Sequence, residues 1–213
     1  PMWIYTNAQA DEGTKNELLA ILSEAIAENP HLAVNAQTGF VESVLTRFAN
    51  EQKLSLCNHG TLNVYSAEQV RSVPPVGKLI VAEAEYKQEI ADLIQIAAID
   101  DNDGELTDEQ ALQFAEAHAG TGNLFLWQDG EIVSMARIVR YGKRFARITS
   151  VVTKREMRGK GYAKMLVGEL AKRVLAEGLI PVLYARAENP SSNSCYSHLG
   201  FEKNGEICEF RFK

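Results

Sequence analysis

Two short stretches hold the residues whose types and spacing could do chemistry. The first is Arg158-Gly159-Lys160-Gly161-Tyr162-Ala163. It joins a strand-like run ending at Val152-Thr153 to a helical pattern. In that pattern Ala163, Leu166, Val167, Leu170, Ala171, Val174 and Leu175 recur at i, i+3, i+4 and i+7. Glycines at such a junction let the chain turn tightly and aim several backbone N–H groups at one point. The helix start adds the positive end of its dipole, so the turn suits a phosphate. Lys154, Arg155, Arg158 and Lys160 raise the local potential further. Neither G-x-x-x-x-G-K-[ST] nor G-x-G-x-x-G occurs, so a nucleotide P-loop and a dinucleotide fingerprint are both excluded. Taken alone, Gly159 and Gly161 fit a bare tight turn equally well.

The second stretch begins at Asn189-Pro190, a helix start with Asn189 as N-cap and Pro190 in the first position. Tyr196 follows two helical turns later, then Gly200-Phe201. A tyrosine hydroxyl, with a pKa near ~10, stays protonated at neutral pH and can act as a proton donor. It can equally be a packing ring. His198, two residues on, falls on another side of the same helix.

Together the two stretches resemble the GNAT N-acetyltransferase superfamily. Residues 158–163 read R-x-x-G-x-A, with Val152 six residues before Arg158. Residues 189–201 read N-x6-Y-x3-G-F, and Asn189-Pro190-Ser191-Ser192-Asn193 is similar to one branch of the superfamily. The resemblance spans roughly residues 78–213 and implies acetyl-CoA as co-substrate. By position it gives Ser150, Val151 and Val152 to the pantetheine arm through their backbone. It gives Arg158, Gly159, Lys160, Gly161, Tyr162 and Ala163 to the pyrophosphate. Asn189 would hydrogen-bond the pantetheine or thioester end, and Tyr196 would stand near the thioester sulfur as general acid. The implied reaction is direct attack of a primary amine on the thioester carbonyl. A backbone N–H stabilises the oxyanion, and the leaving thiolate takes its proton from Tyr196. The family's usual Glu base on the strand before the Asn is replaced by Tyr184, with Glu188 beside Asn189. That departure leaves the base unassigned, and it is the feature favouring the alternative: a non-catalytic acyl-CoA-binding sensor or adaptor.

Charge is unevenly spread along the chain. Residues 143–173 carry ten Lys or Arg against Glu156 and Glu169, and residues 82–119 carry eleven Asp or Glu against Lys87. The acidic run covers the helix pair that forms the acceptor side in the resembled family, so a cationic, amine-rich acceptor is the expectation. The plainer reading is that both runs are solvated helix faces. The formal net charge of −6 argues against a dedicated nucleic-acid binder.

The elements that must position these residues can be read from periodicity and punctuation. Helices are predicted over 12–28, ended by Asn29-Pro30, and over 40–52. Strand-like pieces at 53–57 and 61–65 are separated by His59-Gly60. A Pro/Gly-marked segment, 72–77, suggests a boundary between an N-terminal accessory domain, 1–76, and an acetyltransferase-like domain, 77–213. The second domain reads as a strand at 79–81 and a helix at 85–98. A further helix, from Thr107 to about His118, starts in a capping box. A meander of three strands follows, turned at Asp129-Gly130 and Gly142-Lys143. After the helix from 161 come a strand at 179–187, the short helix and a last strand at 208–212. The fold class is α/β (α+β), a mostly antiparallel mixed sheet flanked by helices.

Apolar residues at 46% and charged residues at 23% exclude a disordered chain. No apolar run approaches ~18 residues, so no membrane partner is expected. The first residues show no basic-then-apolar leader, and Cys57, Cys195 and Cys208 form no C-x-x-C pair. The expectation is therefore a cytoplasmic protein without structural metal. Asp101-Asn102-Asp103-Gly104 is not a calcium loop, because Ile99 and Gln110 stand where ligands are needed. Cys57 and His59 lack metal-binding partners. The acceptor's identity and the oligomeric state are not written in the sequence.

Overall fold

The structure is a computed structural model that describes residues 2–4, 11–29, 32–36, 40–100 and 104–213. Pro30 and residues 101–103, named above, lie outside the described residues. In chain order the elements are β1 (Met2–Ile4), α1 (Glu12–Glu28), β2 (Ala33–Ala36), α2 (Phe40–Gln52), β3 (Leu56–Ser66), β4 (Lys78–Val81), α3 (Lys87–Asp100), α4 (Asp108–His118), β5 (Leu124–Asp129), β6 (Glu131–Tyr141), β7 (Phe145–Thr153), α5 (Tyr162–Ala176), β8 (Ile180–Arg186), α6 (Pro190–Leu199) and β9 (Glu202–Phe212). The fold is α/β, with mostly antiparallel strands flanked by helices.

The chain divides into two compact units. The first takes Pro1–Val64, Tyr184–Asn193 and Asn204–Lys213. Within it β1 pairs parallel with β2, and β2 pairs antiparallel with β9. Leu19 and Leu22 of α1 and Val41, Val44, Leu45 and Phe48 of α2 are buried with Val34, Phe210 and Phe212. Phe48 meets Phe212 edge to face, with ring centroids 5.2 Å apart. The two short strands β1 and β2 were not foreseen, because three or four residues are too few to show a period of two. The two predicted pieces around His59-Gly60 are one strand, β3. Gly60 bends it at φ +133°, a value that only glycine adopts freely, and its N–H is taken by Asn58 Oδ1 at 2.8 Å.

The second unit takes Tyr65–Leu183 and Ser194–Lys203. The 76/77 position falls inside it, where Trp127 Nε1 donates to the Val76 carbonyl at 2.7 Å. Strands β4, β5, β6 and β7 pair antiparallel in sequence order, and β7 pairs parallel with β8 across the α5 crossover. Every apolar position in the helical run from Leu166 to Val174 is buried. Helices α3 and α4 bury Ile90, Leu93, Ala111 and Ala115 against Leu124, Leu126, Met135 and Val152. That burial sets which face of β6 and β7 these helices cover.

Candidate active site

The bend in β7 begins with a register change. Met135 pairs with Val152, and Arg137 pairs with Thr149. Ser150 and Val151 therefore share the single opposite residue Ala136, which is a β-bulge. Ser150 sits at φ +53°, a left-handed conformation uncommon for serine. The strand beyond it is pinned by Ser134, whose hydroxyl donates to the Val152 carbonyl at 2.6 Å and lies 2.9 Å from Thr153 Oγ1. The β7–β8 ladder runs over Phe145↔Ile180, Ala146↔Pro181 and Arg147↔Val182. The bulge residues Ser150 and Val151, and Val152 after them, lie past its end, and the bulge re-aims the backbone groups there.

The glycine turn follows directly. Residues Arg155–Met157 form one 3-10 turn, and Gly159 and Gly161 take φ +78° and +85°. Gly161 is the N-cap of α5 and offers no side-chain cap. The first N–H groups of a helix have no intrahelical partner, so here they face outward with the dipole behind them. A Cβ built on Gly159 or Gly161 would have nothing within 4 Å. The conformation needs glycine, and the space beside it is open.

The basic side chains around the turn are held by carboxylates that sequence reading did not identify. Asp100, the last residue of α3, accepts from Arg158 Nη2 and lies 3.5 Å from Arg155 Nη2. Arg158 Nε also donates to the Thr153 carbonyl at 3.2 Å. Lys154 Nζ donates to Glu131 Oε2 at 2.5 Å. The Tyr162 hydroxyl donates to Asp129 Oδ2 at 2.5 Å, and this bond raises the tyrosine's pKa. Asp129 and Glu131 flank the β5–β6 turn, so that hairpin tip tethers both ends of the glycine turn. The segregated charge runs were the signal that could have pointed to Asp100.

Tyr196 is buried in the second unit, where its ring lies 6.1 Å from Tyr65 and 6.3 Å from Phe201. Asn189 belongs to the first unit and caps α6, its Oδ1 accepting from the Ser192 N–H at 3.1 Å. Asn193 secures the same corner. Its Nδ2 donates to the carbonyls of Asn189 and Arg186 at 2.6 and 2.9 Å, and its Oδ1 accepts from Asn63 Nδ2 at 2.8 Å. Tyr184 is half-buried on β8, and Glu188 is exposed, 4.0 Å from Arg186. The second unit thus holds Ser150–Val152, the whole of 158–163 and Tyr196, while Asn189 and Tyr184 belong to the first.

No group of three or more His, Cys, Asp or Glu among the described residues could hold a metal. Among them no helix is long and apolar enough to cross a membrane.

Residues 83–201, more than half of the chain, match the acetyltransferase (GNAT) family. No curated protein matches the sequence. Among solved structures, a GNAT-family acetyltransferase from Colwellia psychrerythraea is 18% identical, with a TM-score of 0.63 over 98% of this chain and 76% of that one. A tandem GNAT protein from the clavulanic acid biosynthesis pathway is 14% identical, with a TM-score of 0.59 over 99% and 72%. A GNAT-family acetyltransferase from Novosphingobium aromaticivorans is 20% identical, with a TM-score of 0.56 over 74% and 68%. At these identities the structures bear on the fold.

Proposed function

This chain belongs to the acetyltransferase (GNAT) family, and from that premise we propose that it transfers an acetyl group from acetyl-CoA to a primary amine by direct attack. The observation that carries the reading is the start of α5. Its amides meet no side-chain cap, its two glycines are left-handed, and the space beside them is open. Those features fit a pyrophosphate, and residues 158–163 would hold it through backbone N–H groups. Bound acetyl-CoA supplies the activated acetyl group as a thioester. A re-aimed N–H of the β7 bulge is the donor for the oxyanion, where a preorganised dipole needs no rearrangement. Asn189 would orient the pantetheine arm. Tyr196 would give its hydroxyl proton to the departing thiolate.

The test follows free thiol from acetyl-CoA over a panel of amines, with the mass of each product. Thiol release coupled to a 42-Da gain, roughly one acetyl group, supports the reading. Binding of acetyl-CoA without release from any amine would favour the sensor alternative. Tyr196→Phe keeps the ring and its packing. Its single-turnover rate should fall by about 10²–10⁴, the usual worth of a general acid, with acetyl-CoA affinity unchanged. Wild-type rates in that variant would make Tyr196 a packing residue.

A further inference from the structure

Where α4 ends, β5 begins and β6 nears its end lies a cavity of about 430 Å³ that nothing above has used. Its polar lining is His118, Thr121, Asn123, Arg137 and Arg140. Side chains alternate along a strand, so Arg137 shares a face of β6 with Met135, which is buried against α3 and α4. Arg137 stands opposite Thr149, the residue before Ser150. Directly paired residues are about 4.5–5.5 Å apart at Cα. The cavity is therefore one strand from the segment expected to hold the thioester carbonyl. On the neighbouring pair, Val139 faces Arg147, which sets a second guanidinium diagonally from Arg137 on the same face.

The lining has a consistent hydrogen-bonding character. A guanidinium has donors and no acceptor, so Arg137 Nη1 donates to His118 Nε2, 2.5 Å away. The imidazole is then neutral with its proton on Nδ1. Arg140 donates from Nε and Nη2 to Glu177 at 2.9 and 2.7 Å, and from Nη1 to Asn123 Oδ1 at 2.7 Å. With its oxygen accepting, Asn123 has an NH₂ to offer. Among the described lining residues none is a carboxylate. A planar guanidinium beside amide donors matches a carboxylate or a phosphate.

We infer that this cavity receives an oxyanion carried by the acceptor amine, with Arg137 as the residue that selects for it. The acceptor is thus an amine bearing a carboxylate or phosphate a few bonds from its nitrogen. This rests on the acetyl-transfer reading only for the identity of the occupant. The acidic run does not oppose it: Glu83, Glu85, Asp92, Glu109 and Glu116 are exposed, outside the cavity lining, and a substrate with both an ammonium and an oxyanion satisfies both charge patterns.

The first arm measures binding without acetyl-CoA. Sodium acetate and inorganic phosphate are titrated into the full chain at constant ionic strength, and the His118 ring signals are followed by NMR. A saturable shift beyond a chloride control is expected from at least one. The stronger of the two anions identifies the oxyanion class. Arg137→Met should weaken that binding by about 10- to 100-fold, the worth of a charge-assisted hydrogen bond. Arg137→Lys, which keeps the charge and loses the fork, should fall between, and thermal melts confirm that each variant is folded. No saturable shift, or equal affinity in Arg137→Met, overturns the inference.

The second arm compares β-alanine, 2-aminoethyl phosphate and β-alaninamide as acceptors. Faster thiol release with an anionic amine, through a lower KM that Arg137→Met abolishes, is the expected result. Acetylation of the carboxamide as readily as the acids overturns the inference and leaves acetyl transfer standing. A saturable anion shift with no thiol released from acetyl-CoA by any amine overturns acetyl transfer and leaves the oxyanion site standing.

Discussion

Helices α4 and α5 both belong to the second unit, and they begin in opposite ways. At α4 the Thr107 hydroxyl accepts from the Gln110 N–H at 3.2 Å, and the Gln110 side chain accepts from the Thr107 N–H at 2.9 Å. The capping box satisfies those amides from within. At α5 the N-cap is a left-handed glycine with no side chain to return. Acidic residues also enter the first turn of α4, as Asp108 and Glu109, and none enters that of α5. One helix neutralises its own dipole and the other presents it. A helix start left with glycine at its N-cap forgoes stability that a side-chain cap would supply, about a few tenths of a kcal/mol. Under the acetyl-transfer reading proposed above, the recipient of the exposed amides would be the pyrophosphate of CoA.

The contrast can be broken most sharply at Gly161. Gly161→Val places a β-branched residue at φ +85° and fills the open space beside the amides. CoA affinity should drop on the order of 100-fold, the loss of two hydrogen bonds to a charged group. Calorimetry with CoA checks this, and wild-type affinity in a folded variant would remove the phosphate from the turn.

The reciprocal change is Thr107→Ala. It opens the closed helix start, and stability should fall by about 1 kcal/mol with CoA affinity unchanged. Denaturant melts read the first and calorimetry the second. A large affinity loss from Thr107→Ala would mean that the two helix starts are not functionally distinct.

Tyr162→Phe sharpens the comparison by untying α5 from the hairpin tip. It removes the bond to Asp129 while keeping the buried ring. Loss of one such bond should cost roughly 1 kcal/mol of stability, with a small weakening of CoA binding as the first turn of α5 loosens. An unchanged melt would show that the tether contributes nothing.

The smallest effect is expected at the other end of α4. A histidine in the last turn of a helix normally gains from the dipole when charged. At His118 burial and the adjacent Arg137 outweigh that gain and hold the pKa below the ordinary 6.5. The folded pKa is thus lower than the unfolded one. As pH falls below about 6.5 the unfolded chain takes up the proton first, so stability present above that pH is lost on acidification towards the folded value. His118→Gln should flatten the slope of stability against pH in that window. Because the ring is only half-buried, the change is small, and an unaltered slope would assign the pH dependence to other groups.

Much of the fold was legible because its signals are local. The period of α5, the Asp129-Gly130 turn, the Thr107 capping box and the Asn189 cap each depend on residues within a few positions of one another. The same holds for the glycine turn, where a backbone that must go left-handed announces itself by residue type. The family match over 83–201 agrees with the resemblance drawn from those motifs.

Other features were decided only by tertiary structure. Ser150 carries no left-handed signature, and its φ of +53° follows from fitting two residues opposite Ala136. Asp100, Asp129 and Glu131 reach the glycine turn from more than twenty residues away. Arg137 meets His118 only because β6 and the end of α4 pack on one face. The last ten residues join the first unit because β9 pairs with β2. Periodicity and caps are set by neighbours in the chain, whereas bulges, remote ion pairs and cavity linings depend on strand register and helix docking. Those minimise the energy of the whole molecule at once, and no local stretch of sequence encodes them.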